Sequence, residues 1–115
     1  MRRTAVVTGG AGGIGGAIVG ALREAGHDVA ILDHEGEFAL DLGDPEAVRD
    51  VAARLGPRDV LVHAAAAFDR AALADLDPRS LVPDDVAGLV AFLASDAAAA
   101  IAGQTLCADG GSVFA

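Results

Sequence analysis

The sequence predicts an α/β fold: one domain over residues 1–115, in which helices cover both faces of a five-stranded parallel sheet. Two observations predict it. Short apolar runs of strand length alternate along the chain with stretches whose apolar residues recur at helical spacing. The connections between them are short, which favours strand-helix-strand units and a parallel sheet. Right-handed crossovers then favour the strand order 3-2-1-4-5.

The first half of the chain contains the first three predicted strands. Strand 1 is the apolar run Ala5-Val6-Val7, and a glycine-rich turn leads from it into a helix over residues 13–24. Gly26 is free to adopt the left-handed conformation and ends this helix. Strand 2 spans residues 28–33 and ends in an aspartate, and strand 3 spans residues 38–42.

The second half continues the alternation. Asp44 and Pro45 form a helix start, and the helix runs to Leu55 before Gly56-Pro57. Strand 4 follows over residues 59–63. The remaining predictions are a loop over residues 68–83 with one helical turn at 71–74, a helix over residues 83–95, and a fifth strand over residues 103–108.

Composition limits the possible partners. The net charge is −9, which argues against nucleic acid and anionic membranes because both require clustered cations. No apolar run reaches transmembrane length, and Met1-Arg2-Arg3 leads directly into a strand, so neither a membrane span nor a signal peptide is expected. Cys107 is the single cysteine, which excludes an intramolecular disulfide and favours the cytoplasm.

The stretch from Thr8 to Gly16 carries the strongest functional signal. It is a glycine-rich turn between a buried strand and a helix start. Glycine accepts positive φ and exposes bare backbone N–H groups, and the helix N-terminus adds unpaired donors and a positive dipole end. The pattern therefore predicts a phosphate or pyrophosphate site. The alternative is a glycine loop that only turns the chain.

Asp33 extends this prediction from a phosphate to a dinucleotide. It ends strand 2, 18 residues beyond Gly15, close to the spacing at which a dinucleotide fold places an acid on the adenosine ribose hydroxyls. The alternative is a solvated aspartate at a strand end. Behind a glycine turn of this kind, the ribose role is the better interpretation.

These segments resemble the short-chain dehydrogenase/reductase family. Thr8 to Gly15 matches that family's pattern T-G-x-x-x-G-x-G, and residues 84–96 with Gly103-Gln104 resemble its terminal helix and strand. The resemblance implies a Rossmann-like three-layer fold and NAD as cofactor, with Asp33 excluding a 2′-phosphate and Asp41-Leu42 contacting adenine. The implied cofactor contacts are Gly9, Gly10, Gly13, Ile14, Gly15, Asp33, Asp41, Leu42 and Ala64.

The family's catalytic residues have no counterpart. The family places a serine and a Tyr-x-x-x-Lys dyad after the fourth strand, yet this chain contains no tyrosine and no lysine, since all eight basic residues are arginines. His63 and Ala64 stand where the family carries two asparagines. The chain thus resembles a truncated member that binds NAD, or its ADP-ribose half about equally well, without the usual hydride transfer.

His63 is the candidate for a different chemistry. An imidazole at the end of strand 4 can act as general acid or base, oriented by Asp69 or Asp33, which would suit a lyase, isomerase, cyclase or unusual oxidoreductase. The alternative, which we rank higher, is a histidine that only hydrogen-bonds the backbone. Three histidines without ligand spacing predict no metal site.

The terminal segment predicts self-association. In the family, one dimer contact uses the terminal helix and strand, which this chain retains. The helix carries more apolar faces than one side of the sheet requires, and the last strand is an open edge. We therefore expect a homodimer through residues 84–114, with a dinucleotide or another small molecule as ligand.

Overall fold

The computed structural model describes residues 2–65, 83–104 and 106. Within this part of the chain, four strands alternate with three α-helices, and a short 3₁₀ helix follows the last of them. The elements are β1 (Thr4–Thr8), α1 (Gly13–Glu24), β2 (Asp28–Asp33), β3 (Phe38–Ala39), α2 (Pro45–Leu55), β4 (Val60–His63), α3 (Pro83–Leu93) and the 3₁₀ helix Asp96–Ala98.

The four strands form one parallel sheet in the order β3-β2-β1-β4. Val7 of β1 lies opposite Ile31 of β2 on one side and Val62 of β4 on the other. The α/β class and the predicted order of the first four strands are therefore confirmed. The carboxyl ends of all four strands meet at one edge, as parallel pairing requires, and this edge carries the glycine turn.

The predicted fifth strand is not formed by the described residues of its segment. Gly103, Gln104 and Leu106 have no strand pairing, so the described sheet has four strands instead of five. Gly103 itself has φ of +67°, which lies outside the extended region. The rest of that segment, and the helical turn predicted at residues 71–74, lie outside the described residues.

The core lies on both faces of the sheet, which makes three layers. On one face, α1 and α3 cover β1, and Val7 of β1 and Leu22 of α1 are fully buried there. On the other face, α2 places Val51 against Val6 and Leu32. Because β1 is central and buried on both faces, its side chains from Ala5 to Val7 are apolar and buried, and Thr8 is also buried.

The residues that the sequence predicts at two helix ends take their expected capping roles. Asp44 caps α2, since its side chain accepts hydrogen bonds from the backbone N–H groups of Glu46 and Ala47 at 3.1 and 3.5 Å. Pro45 is the first residue of the helix. Gly26 follows α1 with φ of +90°, which confirms the left-handed glycine at that end.

Candidate functional site

The turn between β1 and α1 begins with a glycine that no other residue could easily replace. Gly9 has φ of +71°, and its N–H donates to the carbonyl oxygen of Leu32 at 2.8 Å. A Cβ atom at Gly9 would lie 2.6 Å from the Cα atom of Ala65. The turn is therefore fastened to β2 on one side and packed against the end of β4 on the other.

Three further glycines of the turn and of the start of α1 have different surroundings. A Cβ atom on Gly10 would lie 2.7 Å from Cγ2 of Ile31, so this residue faces the sheet. A Cβ atom on Gly15 would lie only 2.0 Å from the carbonyl oxygen of Gly9, so α1 packs directly against the turn. A Cβ atom on Gly13 would meet nothing within 4 Å. Gly10 and Gly15 are thus needed for packing, whereas Gly13 faces open space.

The N-terminus of α1 is open to a ligand. Its N-cap residue is Gly12, which has no side chain to bond the first-turn N–H groups, and the first turn holds no acidic residue. The N–H groups of a helix's first turn have no acceptor within the helix, and the dipole there is positive. Ile14 is exposed in this turn. An anion at this end would therefore meet backbone donors and no competing carboxylate from α1.

Asp33 connects the end of β2 to the glycine turn. Its Oδ2 atom accepts a hydrogen bond from the backbone N–H of Ala11 at 3.0 Å, and Oδ1 accepts from the N–H of His34 at 2.7 Å. These backbone bonds, with that from His34 the stronger, hold the pKa of the Asp33 carboxyl below its usual range. Asp33 is 9% exposed, so a nearly buried carboxylate stays ionised beside the turn.

His63 lies at the same edge of the sheet, one strand away. It pairs in register with Thr8, and its Nδ1 atom is 3.4 Å from the Thr8 hydroxyl oxygen. That hydroxyl oxygen also accepts from the N–H of Ala65 at 3.4 Å, while the N–H of Ala64 donates to the carbonyl oxygen of Thr8 at 3.0 Å. The partner of the His63 ring is thus Thr8 and not Asp33, and Asp69 lies outside the described residues.

Asp41 and Leu42 follow β3, which is shorter than the predicted strand and ends at Ala39. The Asp41 carboxylate accepts from the N–H of Gly43 at 2.8 Å, so it shapes its own turn. Leu42 is exposed, as an adenine contact would require. The adenine role of these two residues stays a prediction.

Three residues of this edge make contacts that the motif did not indicate. Thr8 joins the glycine turn to β4 through its hydroxyl, and Ala11 and His34 hold the Asp33 carboxylate. A signal for Thr8 existed in the strand order, since parallel pairing of β1 with β4 brings it level with His63. Ala11 gave no signal, because it contributes only a backbone N–H.

Among residues 2–65, 83–104 and 106, no group of three or more histidine, cysteine, aspartate or glutamate side chains could hold a metal ion. No helix in this same part of the chain is long and apolar enough to cross a membrane.

A parallel sheet, a glycine turn that opens a helix, and an acid at the end of the neighbouring strand define a Rossmann-like α/β domain. Residues 5–102 match the model of the NAD dependent epimerase/dehydratase family, and the chain belongs to that family. A stretch of 34 residues is 65% identical to a probable short-chain type dehydrogenase/reductase of Bradyrhizobium diazoefficiens. The resemblance to short-chain dehydrogenase/reductases is thereby confirmed.

Two solved structures are similar to the chain over about three quarters of its length. The protein lin1944 of Listeria innocua matches with a TM-score of 0.50 and 20% identity over 76% of this chain, which concerns the fold alone. The 3-alpha-hydroxysteroid dehydrogenase of Pseudomonas sp. B-0831, complexed with NADH, matches with a TM-score of 0.49 and 29% identity over 78% of it. This chain covers 42% and 38% of those two structures and 12% of the Bradyrhizobium protein.

Proposed function

We propose that this domain binds NAD, or its ADP-ribose half, at the turn between β1 and α1, and that it does not carry out its relatives' usual hydride transfer. The observation that carries the proposal is the joint arrangement of an uncapped helix N-terminus and an ionised carboxylate bonded to the same turn. Membership of an NAD dependent family supports it. Each half of the ligand has a distinct set of contacts.

The pyrophosphate would lie at the N-terminus of α1. Gly13 leaves open space there, so a phosphate oxygen can approach the backbone N–H groups. The dipole at this end favours an anion by about 0.3–1 kcal/mol in exposed surroundings. Because the chain has a net charge of −9, these fixed backbone donors are the main attraction that it offers to a phosphate.

The adenosine ribose would bind to Asp33. Oδ2 accepts one backbone N–H and keeps a lone pair for a ribose hydroxyl, whereas Oδ1 accepts the N–H of His34 and also contacts the His34 ring. The low pKa keeps the group charged near neutrality, so it repels a 2′-phosphate and favours NAD over NADP. Asp41, Leu42 and Ala64 lie beyond the ends of β3 and β4 and complete the proposed contacts.

The nicotinamide half has few partners by comparison. When bound, NAD supplies the hydride chemistry itself, but a carbonyl substrate also needs a proton donor. These 115 residues include no tyrosine and no lysine, so the phenol and the amine that lowers its pKa are both missing. The exposed His63 is the candidate acid or base at the end of β4, and its participation in an altered reaction stays a prediction.

Calorimetric titration tests the proposed ligand. We expect NAD and ADP-ribose to bind with dissociation constants within about threefold of each other, and NADP to bind more weakly, because the contacts lie on the adenosine side. Adenosine serves as a control that lacks the pyrophosphate and should bind least. Binding of none of these ligands would contradict the proposal, and NAD binding far tighter than ADP-ribose would show nicotinamide contacts.

We also propose that the domain is a cytoplasmic homodimer that associates through residues 84–114. Its single cysteine suits a reducing compartment. The described part of that segment exposes four large apolar side chains along α3 and the chain that follows it, those of Phe92, Leu93, Ile101 and Leu106. Such a patch is costly to leave in water and is suited to a self-complementary contact.

Light scattering tests the dimer. At about 50 µM we expect the mass of two chains, and we expect Phe92→Glu to give one chain, because a charge buried in an interface without a partner costs several kcal/mol. Leu61→Glu is the matched control, since Leu61 is an exposed apolar residue of β4 outside the segment. A monomeric parent, or loss of the dimer in the Leu61 variant alone, would exclude this interface.

A further inference from the structure

His63, the last residue of β4, contacts the buried hydroxyl of Thr8. Its Nδ1 atom lies 3.4 Å from the Thr8 hydroxyl oxygen, and the same oxygen accepts a hydrogen bond from the backbone N–H of Ala65 at 3.4 Å. Thr8 is only 5% exposed, whereas His63 is an exposed residue. Within the described part of the chain, the partners of this hydroxyl are thus one ring nitrogen and one backbone N–H.

The burial of the hydroxyl determines which nitrogen of His63 carries the hydrogen. A threonine hydroxyl has one hydrogen and two lone pairs, and the N–H of Ala65 occupies one lone pair. The acceptor that the described residues offer to the hydroxyl hydrogen is Nδ1 of His63, and without it this hydrogen would be buried and unpaired. Because Nδ1 accepts, the hydrogen of the neutral ring lies on Nε2.

This tautomer makes the outer nitrogen of the ring a hydrogen-bond donor. The lone pair of the neutral ring lies on Nδ1 and is directed at Thr8, so Nε2 has none with which to remove a proton from a substrate. Among the described residues, the ring makes no second hydrogen bond. The nitrogen that His63 leaves for a ligand therefore suits an oxygen acceptor, such as that of a phosphate or a sugar hydroxyl.

His63 and Asp33 lie on opposite sides of the glycine turn. Thr8, the last residue of β1, pairs with β2 on one side and is level with His63 of β4 on the other. Two strands that flank a third are about 10 Å apart, so one ribose cannot contact both side chains. A Cβ atom at Gly9 would lie 2.6 Å from the Cα atom of Ala65, so the chain just beyond His63 packs on the turn. A ligand held by Asp33 at its adenosine ribose and by the turn at its first phosphate thus extends towards His63.

We propose that His63 is a binding residue of the nucleotide site, whose Nε2–H donates a hydrogen bond to an oxygen of the ligand's distal half, and that Thr8 is the positioning residue that fixes this tautomer. The distal half consists of the second phosphate and the ribose beyond it. This inference rests on the proposed function, since it concerns the same ligand. It gives His63 the role of a donor, and not that of a general base in an altered reaction.

Calorimetric titration of AMP, ADP and ADP-ribose with the parent chain and two His63 variants measures this contact. His63→Leu removes the donor from an exposed position, so we expect about tenfold weaker binding of ADP-ribose and unchanged binding of AMP, which lacks the distal half. His63→Gln keeps a side-chain N–H donor and should stay within about threefold of the parent. Weaker ADP binding by His63→Leu would assign the second phosphate as the acceptor, and a loss confined to ADP-ribose would assign the distal ribose; both results support the inference.

His27→Leu is the matched control for these titrations. His27 lies between α1 and β2 at the opposite edge of the sheet, where its Nδ1 atom accepts from the N–H of Arg3 at 3.1 Å, so the same substitution there should leave all three affinities unchanged. Unchanged ADP-ribose binding by His63→Leu, or an equal loss of AMP binding, overturns this inference while the proposed function stands. Failure of the parent to bind NAD and ADP-ribose overturns the proposed function and this inference with it.

Nitrogen NMR of the histidine rings tests the tautomer without any ligand. In the neutral ring of His63 we expect the hydrogen on Nε2, as in the neutral ring of His27, whose Nδ1 atom also accepts a hydrogen bond. His34 is the opposite reference, because its Nδ1 atom lies 2.6 Å from the Asp33 carboxylate and carries a hydrogen there. The signals of His63 are those that His63→Gln lacks. A hydrogen on Nδ1 of the neutral His63 ring overturns the inference.

Two Thr8 variants separate positioning of the ring from folding. Thr8→Val keeps the branched shape without the hydroxyl, so His63 should show both tautomers and ADP-ribose should bind about threefold more weakly. Thr8→Ser keeps the hydroxyl and should retain the single tautomer and the parent affinity. A His63 ring that carries hydrogen on Nε2 alone in Thr8→Val would overturn the role of Thr8. If the valine variant does not fold, the ring spectra of the parent and of Thr8→Ser decide the tautomer, and the His63 titrations decide the contact.

Discussion

Gly15→Ala is expected to destabilise the domain by about 3 kcal/mol or more, although alanine is the better helix former. Gly15 is the third residue of α1, and helix propensity alone would make alanine more stable by about 0.5–1 kcal/mol. The new methyl group, however, would lie 2.0 Å from the carbonyl oxygen of Gly9 and 2.7 Å from its carbonyl carbon. Backbone atoms cannot move aside as a flexible side chain can, so α1 must shift away from the turn.

The sign of the change in the free energy of unfolding separates the effect of helix propensity from that of the clash with Gly9. Gly20→Ala is the matched control, because Gly20 lies in the same helix, is exposed, and would place its Cβ atom in open space. We expect that variant to gain about 0.5–1 kcal/mol. Urea unfolding followed by circular dichroism measures both variants against the parent chain. Equal stabilisation of both variants would show that α1 does not pack on Gly9 as described.

Gly13 and Gly15 illustrate what the motif could and could not predict. The pattern from Thr8 to Gly15 correctly placed a turn between a strand and a helix, because glycines at that position have few other uses. It did not distinguish Gly15, where a Cβ atom would clash with the backbone of Gly9, from Gly13, where a Cβ atom would meet no described atom within 4 Å. That distinction depends on how closely α1 approaches β1, and such distances arise from packing of the whole sheet.

The order of the first four strands could be predicted from the sequence, whereas the outcome for the predicted fifth strand could not. Parallel pairing and right-handed crossovers leave few arrangements for four strands joined by short connections, and the observed order is the expected one. Gly103 and Gln104 open an apolar stretch that resembles a strand in sequence, but Gly103 itself has a left-handed φ and is not extended. A glycine has no side chain whose pattern could indicate its φ angle.

The candidate site was predictable in its residues and less so in its contacts. Asp33 stood at the expected distance from the glycine turn, yet its bond to the N–H of Ala11 links two segments by a backbone group that leaves no trace in the sequence. His34 was visible as a neighbour of Asp33, but neighbours on a strand normally point to opposite faces. Its ring reaches Asp33 because β2 ends there and the chain turns.

Gly13→Val is expected to lower the affinity for NAD and ADP-ribose by at least about tenfold, which corresponds to about 1.4 kcal/mol, while the fold stays intact. A Cβ atom at Gly13 would meet nothing within 4 Å, so the isopropyl group occupies solvent at the open end of α1. That is the space a pyrophosphate requires if it is to reach the first-turn N–H groups. Valine also has a slightly better helix propensity than glycine, so stability should change by less than about 1 kcal/mol.

The control variant introduces the same side chain at another position of the helix. Gly20→Val adds the same side chain to the same helix, again in open space but two turns away from the glycine loop, and it should leave both affinities unchanged. Titration of both variants with ADP-ribose, beside a thermal melt of each, separates an obstructed site from an unfolded one. Undiminished binding by Gly13→Val would mean that the ligand does not approach α1 from its N-terminus. Weakened binding in Gly13→Val alone would place the phosphates at that helix end, because no other consequence of the substitution distinguishes the two glycines.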